Sequence, residues 1–390
     1  MKKFIIIFII LILGIPGISY LLWRFQDPKQ LAIVVFDKTV LNTQDQEHLS
    51  LFWLLNNQRY TKANGELYQH GKDYYGLFPD DKGEYEIHDF SNKTNESLDS
   101  LAKVTDVVYY TDMYGMYNVE WLATYFPEQL SDDSKIGDRS KLLYGGMNAK
   151  ELSFLQKAKA QHKLIINEFN LMASPTSSSV RHAYEKTFDV KWSGWVGRYF
   201  DNLDTIVNKE IPRWLINNYK KQHNNTWPFS KSGIAFVNED DRVEILENET
   251  NLNIEVPYIH TSDEFTKKFK VDREFKYSFW FDIVFPGKNT VISTYKIDAN
   301  ESGKAILANA GIPEVFPAAI MSKDERYFYF CGDFCDNPIN MKSSYFKYVE
   351  EIDNFLYKKT TIERKSFFWK YYEPMLKNIL KKEYKKKSGK

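Results

Sequence analysis

Three apolar runs along the chain each stop at an acid. Leu31 to Phe36 ends at Asp37, Val107 to Thr111 ends at Asp112, and Lys163 to Asn167, apolar from Leu164 to Ile166, ends at Glu168. Runs without polar alternation read as strands buried on both faces, the habit of parallel sheets. The segments between them switch to helical spacing. Thr43 to Asn57 places Leu49, Phe52, Trp53 and Leu55 on one face, with Thr43 or Asp45 able to cap its start. Leu98 to Val104 fits a short helix, and Asn148 to Gln161 carries Leu152, Leu155 and Ala158 on one side. A further helix, capped by Thr176 or Ser177, runs to Phe188. Asn64 to Asp81 reads as a Gly- and Tyr-rich loop, Tyr85 to Phe90 as a second strand and Val190 to Trp195 as a later one. This alternation predicts βαβ units and an α/β fold with a mostly parallel central sheet flanked by helices.

From Gly233 the pattern changes. Short strands with charged turns (234–237, 243–246, 277–284, 290–297) predict a β-rich extension or insertion over about 238–298. Gly303 to Gly311 suggests a helix. Phe316 to Met321 and Arg326 to Cys331 read as closing strands, and Tyr345 to Tyr357 and Lys365 to Lys385 as helices before a basic tail. At the other end, Lys2 and Lys3 precede an apolar run from Phe4 to Trp23. That is about the 20 residues a membrane-spanning helix needs. The expectation is an uncleaved single-pass anchor with the bulk of the chain extracytoplasmic. A cleaved signal peptide, with Gly17-Ile18-Ser19 as its small residues, is the rival. The domains expected are an anchor at 1–24, a linker at 25–30, an α/β domain at 31–342 and C-terminal helices with a tail at 343–390.

Composition narrows the function classes. Lys plus Arg and Asp plus Glu both total 52, so the formal net charge is zero. No basic reading motif is present, and nucleic acid is not an expected partner. The membrane, through residues 4–23, and a glycan or envelope polymer are the expected partners. Gly-x-Gly-x-x-Gly after the first strand, a phosphate loop, Gly-x-Ser-x-Gly and His-Glu-x-x-His are all missing, and no cofactor is expected. The two cysteines, Cys331 and Cys335, flank a Gly332-Asp333 turn and are a disulfide candidate. Two thiolates without further ligands fall short of a metal site.

Open parallel sheets bind ligands at the carboxyl ends of their strands. Asp37, Asp112 and Glu168 fall at such ends, and Asp333 and Asp336 follow a late strand. Carboxylates gathered at one rim suit general acid–base work or the binding of a hard cation; the alternative is that each simply caps a helix or faces water. Glu47 and His48 lie near the same rim. Trp192, Trp195, Arg198 and Tyr199, with Tyr114 in a second aromatic–Gly loop, suit stacking on sugar rings or holding an anion; the alternative is an irregular edge strand packed on the sheet. Two readings follow: a binding domain for a glycan or related polyhydroxylated envelope ligand, or a carboxylate-dependent hydrolase or transferase acting on one, with Glu168 as base or nucleophile and Asp112 or Asp37 assisting. A structural part in an envelope complex is a third.

The order of strands and helices from Leu31 to Asp336 resembles the class I glutamine amidotransferase-like, flavodoxin-like fold. That family carries a Gly-x-Cys-x-Gly nucleophile on the turn after a central strand. The matching turn here, Asn167-Glu168-Phe169-Asn170-Leu171, has neither Cys nor Gly, and a later His-x-Glu pair is missing. The resemblance therefore implies the position of a site, with Glu168 at the elbow, and not amidotransferase chemistry.

Overall fold

A computed structural model describes residues 14–44, 46–130, 140–350 and 360–389. Fourteen strands build its two main sheets: β1 (Ile33–Asp37), β2 (Tyr75–Pro79), β3 (Tyr85–His88), β4 (Val107–Tyr110), β5 (Leu164–Asn167), β6 (Lys191–Phe200), β7 (Gly233–Asn238), β8 (Val243–Glu247), β9 (Tyr258–Thr261), β10 (Glu274–Lys276), β11 (Trp280–Phe285), β12 (Thr290–Lys296), β13 (Val315–Met321) and β14 (Tyr327–Phe330). The larger sheet has ten strands in the order β10-β9-β12-β13-β14-β5-β4-β1-β2-β3, and the smaller has β8-β7-β6-β11.

The three apolar runs became the interior of the large sheet. Every residue of β1, β4 and β5 is buried, as strands covered on both faces require. They pair in parallel with β14 and β2 outside them. The faces alternate as a pleat dictates. Tyr109 reaches Tyr372 on one side, oxygen to oxygen 2.8 Å, and Tyr110 donates to the Glu151 carbonyl on the other at 3.2 Å. The first face is covered by helix Leu49–Asn57 and the C-terminal helix Glu373–Ser388, the second by helices Asn95–Val104, Ala149–Ala160 and Ser178–Phe188.

The mostly parallel sheet expected from the pattern is corrected. Five neighbouring pairs of the large sheet are antiparallel against four parallel. The smaller sheet is antiparallel throughout. The physical reason is connection length. Parallel neighbours need a crossover, and the later strands are joined by short turns, such as Ser322–Arg326 between β13 and β14. The predicted loop at 64–81 contains β2. Strand β6 leaves the parallel sheet to lie inside the smaller one, between β7 and β11.

The single-pass anchor is also corrected. Among the described residues no helix is long and apolar enough to cross a membrane. Residues 1–13 of that expectation lie outside the described residues, as do Asp45 as a cap and 351–357 of the predicted Tyr345–Tyr357 helix. A helix at 14–24 packs its end on the body instead. The Trp23 indole is buried and donates to the Asn56 carbonyl at 2.9 Å, and Ser19 Oγ donates to the Lys347 carbonyl at 2.6 Å. The membrane assignment, with the extracytoplasmic location built on it, is therefore withdrawn. So is the disulfide: Cys331 and Cys335 are free thiols. The Cys331 amide donates to Ala318 and the Cys335 amide to Glu168, so the intervening residues run on across β11 rather than folding back.

Candidate functional site

The parallel register sets the rim. Phe36 is level with Tyr110, and Tyr110 with Asn167, so Asp37, Thr111 and Glu168 follow at one height with Asp112 one residue beyond. Strand β14, parallel to β5, delivers Cys331 to Asp336 to the same edge. There the segment meets the smaller sheet: Asp282 donates its amide to the Cys331 carbonyl at 2.9 Å, and Asp333 donates to the Trp280 carbonyl at 3.2 Å.

Asp37 is the fixed point. It is fully buried, with Oδ1 accepting from the Thr39 amide at 2.9 Å and the Thr39 hydroxyl at 2.7 Å, and Oδ2 set 2.6 Å from His48 Nδ1. The far nitrogen of His48 lies 2.9 Å from the His70 carbonyl. A carbonyl only accepts, so Nε2 carries a proton and Nδ1 shares another with Asp37. Although burial alone would raise the Asp37 carboxyl, the bonds from His48 and Thr39 hold it below its ordinary value.

Around it the other acids are pushed the opposite way. Burial, then the charge of Asp333, raises both Glu47 and Asp112 well above the carboxylate range. Asp333 itself is pushed up to about 8 by burial and the adjacent Asp336, with Arg364 opposing. The Thr39 hydroxyl, bonded to Asp37, also lies 2.5 Å from Glu47 Oε2. Asp112 Oδ1 accepts from the Tyr114 amide at 2.5 Å. Arg364 bonds Asp336 at 2.5 Å and stands 3.9 Å from Asp333. Among the described residues no three His, Cys, Asp or Glu side chains are placed to hold a metal ion.

Glu168 lies beneath the rim. The Tyr109 hydroxyl donates to Oε1 and the Cys335 amide to Oε2, the latter at 2.9 Å. Its carboxyl is raised well above the ordinary range, by burial first. The elbow conformation falls two residues later. Asn170 has φ +65°, which Asn tolerates better than most residues, and its amide donates to Asp282 at 3.0 Å.

The aromatic stretch divides. Trp192 and Trp195 are buried, with the Trp192 indole donating to the Trp195 carbonyl at 3.0 Å. Both rings are closed off by guanidinium groups, Arg181 over Trp192 and Arg242 over Trp195. Neither ring offers a face to a ligand. Tyr199 is also buried and donates to Glu255 at 2.9 Å. Tyr114 is half-buried, its ring 4.9 Å from that of Tyr117. Arg198 does reach the rim, feeling the charges of Arg364 and Asp333. Arg364, Trp280, Thr39 and Asn170 were missed. Thr39 follows Asp37 by two residues, an Asx-turn signal that was readable; nothing in the local sequence marks the other three.

A cavity of about 200 Å³ opens at the opposite edge, lined by Leu164, Phe269 and Arg326 among others. Its cations are already paired, Lys268 with Glu325 and Arg326 with Glu383, so the acid rim is the stronger candidate.

No family model and no curated protein matches the chain. Among solved structures it is similar to a ThuA-like protein from Bacteroides uniformis, with a TM-score of 0.34 and 10% sequence identity, over 82% of this chain and 89% of that one. The likeness is too slight to assign a fold, a family or a function.

Proposed function

We propose that the rim is an acid–base site acting on a polyhydroxylated ligand such as a carbohydrate, as a hydrolase or transferase. The observation that carries this reading is a proton count. The Thr39 hydroxyl has one proton but touches carboxyl oxygens of both Asp37 and Glu47. One of those contacts therefore requires the carboxyl's own proton. With Asp37 held low and Glu47, Asp112 and Asp333 raised, a protonated and an ionised carboxyl coexist near neutral pH. Environments that push paired acids apart in this way are how acid and base roles are assigned.

Asp112, Asp333 and half-buried Glu47 are the groups placed to meet a ligand. Asp37, with both oxygens engaged, and His48 are positioning residues. Glu168 acts likewise, through the Cys335 amide. Binding by Trp192 and Trp195 loses its support because both rings are covered.

The test is turnover of a panel of aryl glycosides and oligosaccharides across pH 5–9. Asp112→Asn and Asp333→Asn are each expected to lower kcat/KM by about 10²–10⁴, while Trp192→Phe leaves it near the parent value. If the two carboxyl variants turn over every substrate like the parent, the acids are structural and the reading fails.

A further inference from the structure

Phe279 and Trp280, consecutive at the head of β11, each carry a guanidinium on the ring. Arg364 stands 3.3 Å from the Phe279 centroid and Arg198 5.6 Å from that of Trp280. The two cations come from distant parts of the chain and feel each other's charge. Like charges are not brought together in a partly buried site without an opposing group. Asp333 stands 3.9 Å from Arg364, Asp336 bonds one Arg364 nitrogen at 2.5 Å, and Glu210 bonds one Arg198 nitrogen at 2.8 Å. Those contacts leave both forks incomplete. The Nε of each arginine is buried and lacks a hydrogen-bond partner, a cost when no acceptor arrives. Asp333, at 3.9 Å from Arg364, takes up its proton near pH 8, so at neutral pH it adds little compensating charge to that of Asp336 and Glu210.

We infer that Arg198 and Arg364 form an anion clamp beside the acid rim, and that the ligand carries a carboxylate or phosphate alongside its hydroxyls. A planar fork with several donors suits either anion by two parallel hydrogen bonds. Phe279 and Trp280 brace the guanidiniums from behind and limit the entropy lost on binding. The inference deepens the acid–base reading and rests on it for the nature of the neighbouring site.

The test is calorimetric titration of the full chain at pH 7 with glucose, glucuronate and glucose 6-phosphate. At least one anion is expected to bind about tenfold or more tightly than glucose, and Arg198→Gln or Arg364→Gln to remove about tenfold of that affinity. Glucuronate and glucose 6-phosphate separate a carboxylate ligand from a phosphate one. Equal binding of glucose and both anions, or binding of neither anion, overturns the clamp. So does undiminished anion binding by the double variant, with melting curves verifying that it is folded. Asp112→Asn keeps the two claims apart. Anion binding that persists while turnover is lost upholds both. Carboxyl-dependent turnover without anion preference removes the clamp alone, and anion preference without carboxyl dependence removes the acid–base reading alone.

Discussion

Asp37 and Asp333 show how one rim drives two carboxyls in opposite directions. Asp37 is held low by His48 and Thr39, so the stability it contributes is present above the ordinary carboxylate value and lost on strong acidification. Asp333 behaves oppositely. Its folded-state value of about 8 lies above that of the unfolded chain, so the folded state binds the proton more tightly. Stability falls as pH rises from about 4 toward 8. Asp333→Asn is expected to flatten that decline and to melt higher than the parent at pH 9, measured by thermal denaturation across pH 5–9. His48→Ala leaves a fully buried carboxylate without its main partner, and a loss of about 3–5 kcal/mol is expected in urea unfolding at pH 7. The acids at strand ends were legible because a buried apolar run must end where the chain meets polar surroundings. Their charge states were not, since these depend on burial and on partners the fold brings in, His48 and Thr39 for Asp37 and Asp333 for Asp112 and Glu168.

Elements decide whether those side chains share an edge. The in-register pairing of β1, β4 and β5 does so, and their apolar runs announced it. The later strands left two arrangements open, because short β-rich segments give the same alternation whether they extend a sheet or build a second one. Strand β6 is the clearest case: Trp192 and Trp195 read as a binding face but are packed inside the smaller sheet. One turn is sharply constrained. Gly115 has φ +96°, and a β-carbon there would lie 2.2 Å from the Tyr144 carbonyl oxygen. Gly115→Ala therefore has to move the loop that binds Asp112 through the Tyr114 amide. It is expected to destabilise the protein by about 1–3 kcal/mol and to lower turnover more than Val119→Ala, read from kcat/KM and unfolding curves together.

At the scale of the molecule, the site is a junction. The large sheet supplies Asp37 and Asp112, the segment after β14 supplies Asp333 and Asp336, the smaller sheet supplies Trp280 and Arg198, and the C-terminal region supplies Arg364. No single stretch of sequence contains it: the acids Asp37, Asp112, Asp333 and Asp336 and the cation Arg198 were readable one by one in advance, while Trp280, Arg364 and the meeting of all of them were not. The buried tail residues Phe367, Trp369, Tyr371 and Tyr372 tie that region to the core. The most direct measurement is infrared difference spectroscopy of the carboxyl groups from pH 5 to 9. A protonated carboxyl band is expected to persist at pH 7, to lose the Asp333 contribution around pH 8, and to weaken in Asp333→Asn or Asp112→Asn. Complete ionisation of every carboxyl below pH 6 would contradict the acid–base site.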